Sequence, residues 1–330
     1  MGRRSLVVAL GLGLCAPGTA AADPNDLVLT RLGTRITNSM GELQSVVGQN
    51  LEFRSLASQL GVVLAPHLLT PADTIGFGGF QLTADYSTTT IDPNGPYWKA
   101  RAGSPDPTGT AGGSHGPSSL STLGIFARKG MWFPVPSFEI GAGAVHLIDS
   151  HTWTGQLYAK FGLHEGYHQL PIPSLSVRGA VSRMMTQREL DLTVVSLDVL
   201  MSKHFGIGGT WRFDPFVGWN LLMIVPRSEV IDATPHIDSL APGNQEDTKN
   251  NFVFRDQDNI YRHRIIVGAK LQYYVFQLTL EVQFALAGAS VDDRPGTTDP
   301  CMFESTTGNC DSKDQSPSQR TIGASLGVDF

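Results

Sequence analysis

From Phe276 the chain alternates with a period of two. Phe276, Leu278, Leu280, Val282, Phe284 and Leu286 fall on one side of an extended strand, and Gln277, Thr279, Glu281, Gln283 and Ala285 fall on the other. The pattern recurs. Tyr261, His263, Ile265, Val267, Ala269, Leu271 and Tyr273 oppose Arg262, Arg264, Ile266, Gly268, Lys270 and Gln272. Val217, Trp219, Leu221, Met223 and Val225 oppose Asp214, Gly218 and Asn220, and Trp153, Leu157, Ala159 and Phe161 oppose Thr154, Gln156, Tyr158 and Lys160. In 190–203 the phase slips, because Leu192 and Val194 lie opposite Val195, Leu197 and Val199. A bulge or a misplaced boundary is the expected cause.

Ten strands are predicted: 74–86, 119–129, 138–149, 152–163, 173–184, 190–203, 212–226, 260–271, 274–289 and 319–330. Most reach the roughly nine to eleven residues that a tilted membrane-crossing strand requires. If the strands run alternately up and down, the long connections 87–118, 227–259 and 290–318 share one end. The other end holds only short turns. That asymmetry predicts a closed antiparallel transmembrane β-barrel, all-β, with ten strands and twelve as the alternative. Ahead of it, Phe53, Leu56, Leu60, Val63 and Leu64 recur at helical spacing before Pro66, predicting a short amphipathic helix over 51–64. This segment is expected in the periplasmic mouth, as a plug in the lumen, or packed elsewhere on the barrel.

The start of the chain has a different grammar. Arg3-Arg4 precedes the apolar run Leu6–Leu14, and Ala20-Ala21-Ala22 leads into Asp23-Pro24. Basic residues, a short apolar run and a small-residue exit are the marks of an export signal. The expected organisation is a signal peptide over 1–22, a periplasmic or plug-like segment over 23–72 and a barrel over 73–330. Removing the signal takes away Arg3 and Arg4 and no acid, moving the formal charge from −6 to −8. Such a balance discourages nucleic-acid binding. After the signal no apolar run approaches about 20 residues, which excludes a helical membrane protein. Cys301 and Cys310, the two cysteines beyond the signal, suggest a disulfide pinning an outer loop of an exported protein.

The ending Ile322, Ala324, Leu326, Val328 and Phe330 alternates to the final residue. It resembles the terminal strand of Gram-negative outer-membrane β-barrel proteins, whose last aromatic is read by the barrel-insertion machinery. The resemblance implies the cell outer membrane as location, with outer-membrane lipid and the barrel-assembly machinery as partners. The apolar faces would meet lipid, and Lys160, Arg178, Asp198, Arg262, Arg264, Lys270 and Glu281 would line the lumen, paired or hydrated. Glu281 is expected to pair with Arg262, Arg264 or Lys270 on the neighbouring strand. Trp98, Trp132, Trp153, Trp211, Trp219, Tyr158, Tyr273 and Tyr274 supply candidates for interfacial girdles as well as ordinary core or loop aromatics.

Chemistry is sparse by comparison. His164-Glu165-Gly166-Tyr167-His168 matches the H-E-x-x-H zinc pattern, but Gly162, Gly166, Pro171 and Pro173 leave no room for the helix that would align two ligands. His146, Asp149 and His151 fall at an outer hairpin tip, where some ten-stranded outer-membrane proteases hold acidic residues and histidine; no further match to that family is found. Ten to twelve strands argue against a wide porin. The expected function is passive transport or narrow, porin-like pore formation for a small or hydrophobic solute. The alternatives are a structural or adhesive barrel displaying long loops, and an outer-membrane hydrolase with a site at the outer rim. On the leading reading the protein is not an enzyme and takes no cofactor or metal.

Overall fold

A computed structural model describes residues 22–108, 115–133, 137–165, 172–187, 189–237, 240–255, 257–288, 314 and 316–330. Ten barrel strands follow the alternating segments. They are β1 (Phe80–Thr90), β2 (Ser119–Met131), β3 (Phe138–Leu147), β4 (Trp153–His164), β5 (Ser174–Met184), β6 (Leu190–Ser202), β7 (Trp211–Ser228), β8 (Ile260–Tyr273), β9 (Phe276–Ala285) and β10 (Gln319–Asp329). Each pairs antiparallel with the next, and β10 returns to β1 through Thr321↔Thr89 to Asp329↔Gln81. The ring is closed. Closure pairs backbone groups that hydrocarbon could not satisfy.

The outward faces are apolar, as the alternation requires. Phe276, Leu278, Leu280 and Phe284 are exposed, while Gln277, Thr279, Glu281 and Gln283 are buried inside. Trp132, Trp211, Tyr273 and Tyr274 gather at the short-turn end, with Trp211 and Tyr273 ring centroids 4.5 Å apart. Trp98 does not join a girdle; it is buried under the opposite, long-loop end. The barrel is thus of the outer-membrane type, and the outer membrane is its location.

Residues before β1 build a cap and a plug. A hairpin (Gly33–Thr37 with Leu43–Gly48) leads into helix α1 (Asn50–Val63), and both sit at the long-loop end. The Phe53 ring stacks on Phe254 at 4.2 Å, and Ser58 Oγ donates to Asp314 Oδ2 at 2.6 Å. Gly61 lets the helix lie against β7, where a Cβ would come within 2.7 Å of Ile224. From Leu64 the chain descends through the lumen to the turn end and enters β1. The first strand accordingly starts at Phe80 rather than 74. Gly76 and Gly78, at φ +75° and +84°, make the turn into it.

Helix α1 also explains the slipped phase in β6. No bulge interrupts its pairing with β5 or β7; Leu190, Leu192 and Val194 simply point inward. They join Leu222, Ile224 and Ile260 in an apolar core around Leu56, Leu60 and Val63 of the helix. Beside the helix the outer end of the lumen is packed with apolar side chains. A register irregularity does occur, but between Gly162 and His164 in β4.

Candidate functional site

The charged interior serves the descending segment. Its carbonyls and amides have left water and need partners from the wall. Pro66 O accepts from Arg264 Nη2 at 2.9 Å and His67 O from Arg178 Nη1 at 2.9 Å. Lys160 Nζ donates to Asp73 O at 2.9 Å, Leu69 N–H donates to Glu281 Oε2 at 2.9 Å, and Ile75 N–H donates to Glu139 Oε2 at 3.0 Å. The wall charges also pair among themselves: Arg178 with Asp198 at 2.6 Å, Lys160 with Glu139 at 3.1 Å, and Lys270 with Asp329 at 3.2 Å.

Glu281 therefore does not take the expected cation. It accepts the plug's Leu69 N–H and the side-chain amide of Gln283. Arg262 turns to Ser58 and Ser316 at the outer end, and Arg264 to Asn220 and Gln283. A buried carboxylate can be satisfied by N–H donors as well as by a cation, and the threaded backbone supplies one. Among the described residues, space remains in a cavity of about 210 Å³ at the turn end, bordered by Thr70, Lys160, Arg212, Lys270 and Gln277. The porin-like, transport reading is corrected by this interior: a segment of the chain occupies the passage. Cys301 and Cys310, expected to form a disulfide, lie outside the described residues.

Of the zinc-pattern residues, His164 ends strand β4. The Glu165 carboxylate is used structurally, accepting from Thr74 N–H at 3.0 Å and Ser137 Oγ at 2.9 Å. His168 lies outside the described residues.

The outer rim differs, because there acid and histidine meet in solvent. The tight 148–152 hairpin between β3 and β4 presents His151, and the chain entering the cap brings Asp23 and Asp26 to it. His151 N–H donates to Asp26 Oδ1 at 2.7 Å, and its ring Nδ1 lies 2.7 Å from Asp26 Oδ2. Asp23 Oδ2 is 3.4 Å from the same nitrogen, and Asp23 N–H donates to Asp26 Oδ2 at 2.8 Å. Both sides of this contact are held. Asn25 N–H donates to Asp149 O and Ala102 N–H to Asp26 O, each at 2.8 Å, while Thr186 Oγ1 donates to His151 O at 2.6 Å.

Asp26 is buried, whereas the His151 side chain is 67% exposed. Burial pulls the Asp26 carboxyl up, but the hydrogen bonds it accepts from His151 and Asp23 outweigh that and hold it low. The His151 ring is pushed above its ordinary 6.5 by its hydrogen bond to Asp26, then by the charges of Asp26 and Asp23. In the neutral ring with its proton on Nδ1, shared with Asp26, Nε2 carries a free lone pair. Ligand atoms of Asp23, Asp26 and His151 all lie within 4.8 Å of one another. The direct 2.7 Å contact makes the arrangement an Asp–His dyad.

The other two residues expected at the tip do not join. His146 Nδ1 lies 3.2 Å from Thr152 O and its ring stacks on Trp153, while Asp149 is held at φ +57° and its backbone carbonyl receives Asn25. Sequence reasoning missed Asp23 and Asp26, which stand 125 or more positions from His151. The Asp23-Pro24-Asn25-Asp26 stretch that follows Ala20-Ala21-Ala22 was the one available hint.

No family model and no curated protein matches the chain. Among solved structures, similar chains include the outer-membrane expressed OmpT of Vibrio cholerae, 6% identical, with a TM-score of 0.27, covering 64% of this chain and 60% of that one. In-vitro folded OmpT, an outer membrane protein of Vibrio cholerae, is 6% identical with a TM-score of 0.25, covering 64% of this chain and 56% of that one. This chain therefore spans less than two thirds of either, and these likenesses carry no argument about chemistry. The expectation of no enzyme is corrected by the rim itself, where Asp23, Asp26 and His151 assemble an acid–base group.

Proposed function

We propose that the protein is an outer-membrane hydrolase acting at the outer rim. His151 is its general base, Asp26 the carboxylate that orients the ring, and Asp23 a second acid that favours the imidazolium. The observation that carries this reading is the 2.7 Å contact between a buried carboxylate and an exposed imidazole. A water at Nε2 would lose a proton to the ring as it attacks an electrophilic carbon or phosphorus. The occupied lumen supports the same reading, since it leaves the rim as the surface that can meet a substrate.

Purified full-length protein in detergent should hydrolyse at least one member of a panel of peptide, ester and phosphoester substrates. His151→Ala should lower that rate by roughly 10²- to 10⁴-fold, the range for a lost general base. The rate should rise with pH, because only the neutral ring accepts a proton. Its midpoint should lie above about 6.5, since the neighbouring carboxylates raise the ring. Equal rates for wild type and variant across the panel would reject the assignment.

The cap is part of the proposal. Long loops of outer-membrane barrels face outward, so residues 23–63 belong outside the cell and 64–75 thread the barrel as its plug. Met40, 80% exposed at the cap hairpin, marks a place to test this. An epitope inserted after Met40 should bind antibody on intact cells; binding only after permeabilisation would reverse the orientation. At the opposite end Phe330 is exposed and its ring lies 6.5 Å from that of Phe80, available to the insertion machinery during assembly.

A further inference from the structure

The Asp26 carboxylate accepts from three donors: the His151 backbone N–H and ring on the barrel hairpin, and the backbone nitrogen of Asp23. That nitrogen follows Ala20-Ala21-Ala22, the small-residue exit of the export signal. We propose that signal removal after Ala22 completes the rim site, installing the α-ammonium of Asp23 as a third charged partner of the Asp26–His151 pair. Hydrolysis of the Ala22–Asp23 amide consumes one water and leaves a carboxylate on Ala22 and an ammonium on Asp23. The nitrogen already stands 2.8 Å from Asp26 Oδ2, so no rearrangement is needed. A single amide donor becomes three charged donors.

The surroundings favour that charge. Asp23 contributes its own carboxylate and Asp26 a second; His151 approaches from the β3–β4 hairpin. Asp149 on the same hairpin binds the segment through its carbonyl, to Asn25 N–H. From the 91–118 connection, Arg101 Nη1 donates to the Asn25 side chain at 2.8 Å. Two carboxylates against one imidazole leave the cluster acidic until the ammonium arrives. Processing thereby ties the start of the mature chain to the barrel and offsets part of the negative field around His151.

The inference rests on the site of the proposed hydrolase, but its test reads the amine directly, so the two can fail separately. Mature protein should be isolated from outer membranes and its intact mass measured, then acetylated with a small amine reagent over a pH series. A second sample, refolded with Ala-Ala retained before Asp23, places the amine beyond the site, and Asp26→Asn removes the acceptor. The expected results are a first residue of Asp23 and an amine that titrates above the ordinary value of about 8. In the extended chain and in Asp26→Asn it should return to about 8, acetylating several-fold faster at that pH. A mature chain beginning elsewhere, or identical titrations in the native and extended chains, would overturn the proposal. The comparison with the extended chain stands even if Asp26→Asn does not fold.

Discussion

Replacing Arg178 by leucine should cost about 3–5 kcal/mol of folding stability, read from urea unfolding of protein refolded into phospholipid vesicles. The guanidinium is buried between the Asp198 carboxylate at 2.6 Å and the His67 carbonyl at 2.9 Å. Removing it strands a charge and leaves the plug backbone without a donor. Were the lumen an open aqueous channel, the same pair would be hydrated and its loss worth no more than about 1 kcal/mol. The double variant Arg178→Leu with Asp198→Leu should recover part of the loss, because no lone charge remains. A midpoint close to wild type for the single variant would mean that water reaches this level of the barrel.

The second large effect concerns the two faces of β9. Leu280→Arg should cost roughly 2–4 kcal/mol near the bilayer midplane, since Leu280 is 54% exposed on the outward face. If residue 279 bordered a watery lumen, Thr279→Arg would be milder. The structure reverses that expectation. Thr279 is wholly buried in an occupied interior, so an arginine there has neither space nor a carboxylate reserved for it. Both variants should be strongly destabilised by the same urea assay. Near-normal stability for Thr279→Arg alone would contradict the plugged lumen, and near-normal stability for Leu280→Arg would contradict the outward face.

Much of the architecture could be read from short-range pattern. The helix expected over 51–64 forms as Asn50–Val63, and the segment expected over 190–203 forms as Leu190–Ser202. Such agreement is physical: a strand between lipid and a packed interior has to alternate at every second residue, and a helix packed on one wall has to repeat near 3.6. Failures came where two distant segments share one environment. Leu192 and Val194 broke phase because the inner face is apolar beside helix α1, a neighbour some 130 residues earlier. Glu281 was matched with cations on strands, whereas beside Gln283 its donor is the backbone of Leu69, a group that no side-chain pattern reveals.

The rim follows the same division. The amino-acid order alone determined that strands would alternate, that long connections would collect at one end, and that a histidine would stand on a short hairpin there. Local sterics and the two-faced demand of the bilayer are sufficient for that. Only the tertiary structure decided that residues 64–75 fill the passage and that Asp23 and Asp26 reach His151. Those outcomes depend on a segment finding backbone and side-chain partners far along the chain, from 64 residues for Ile75 with Glu139 to 212 for Leu69 with Glu281, and contacts of that range leave no periodic trace in the chain.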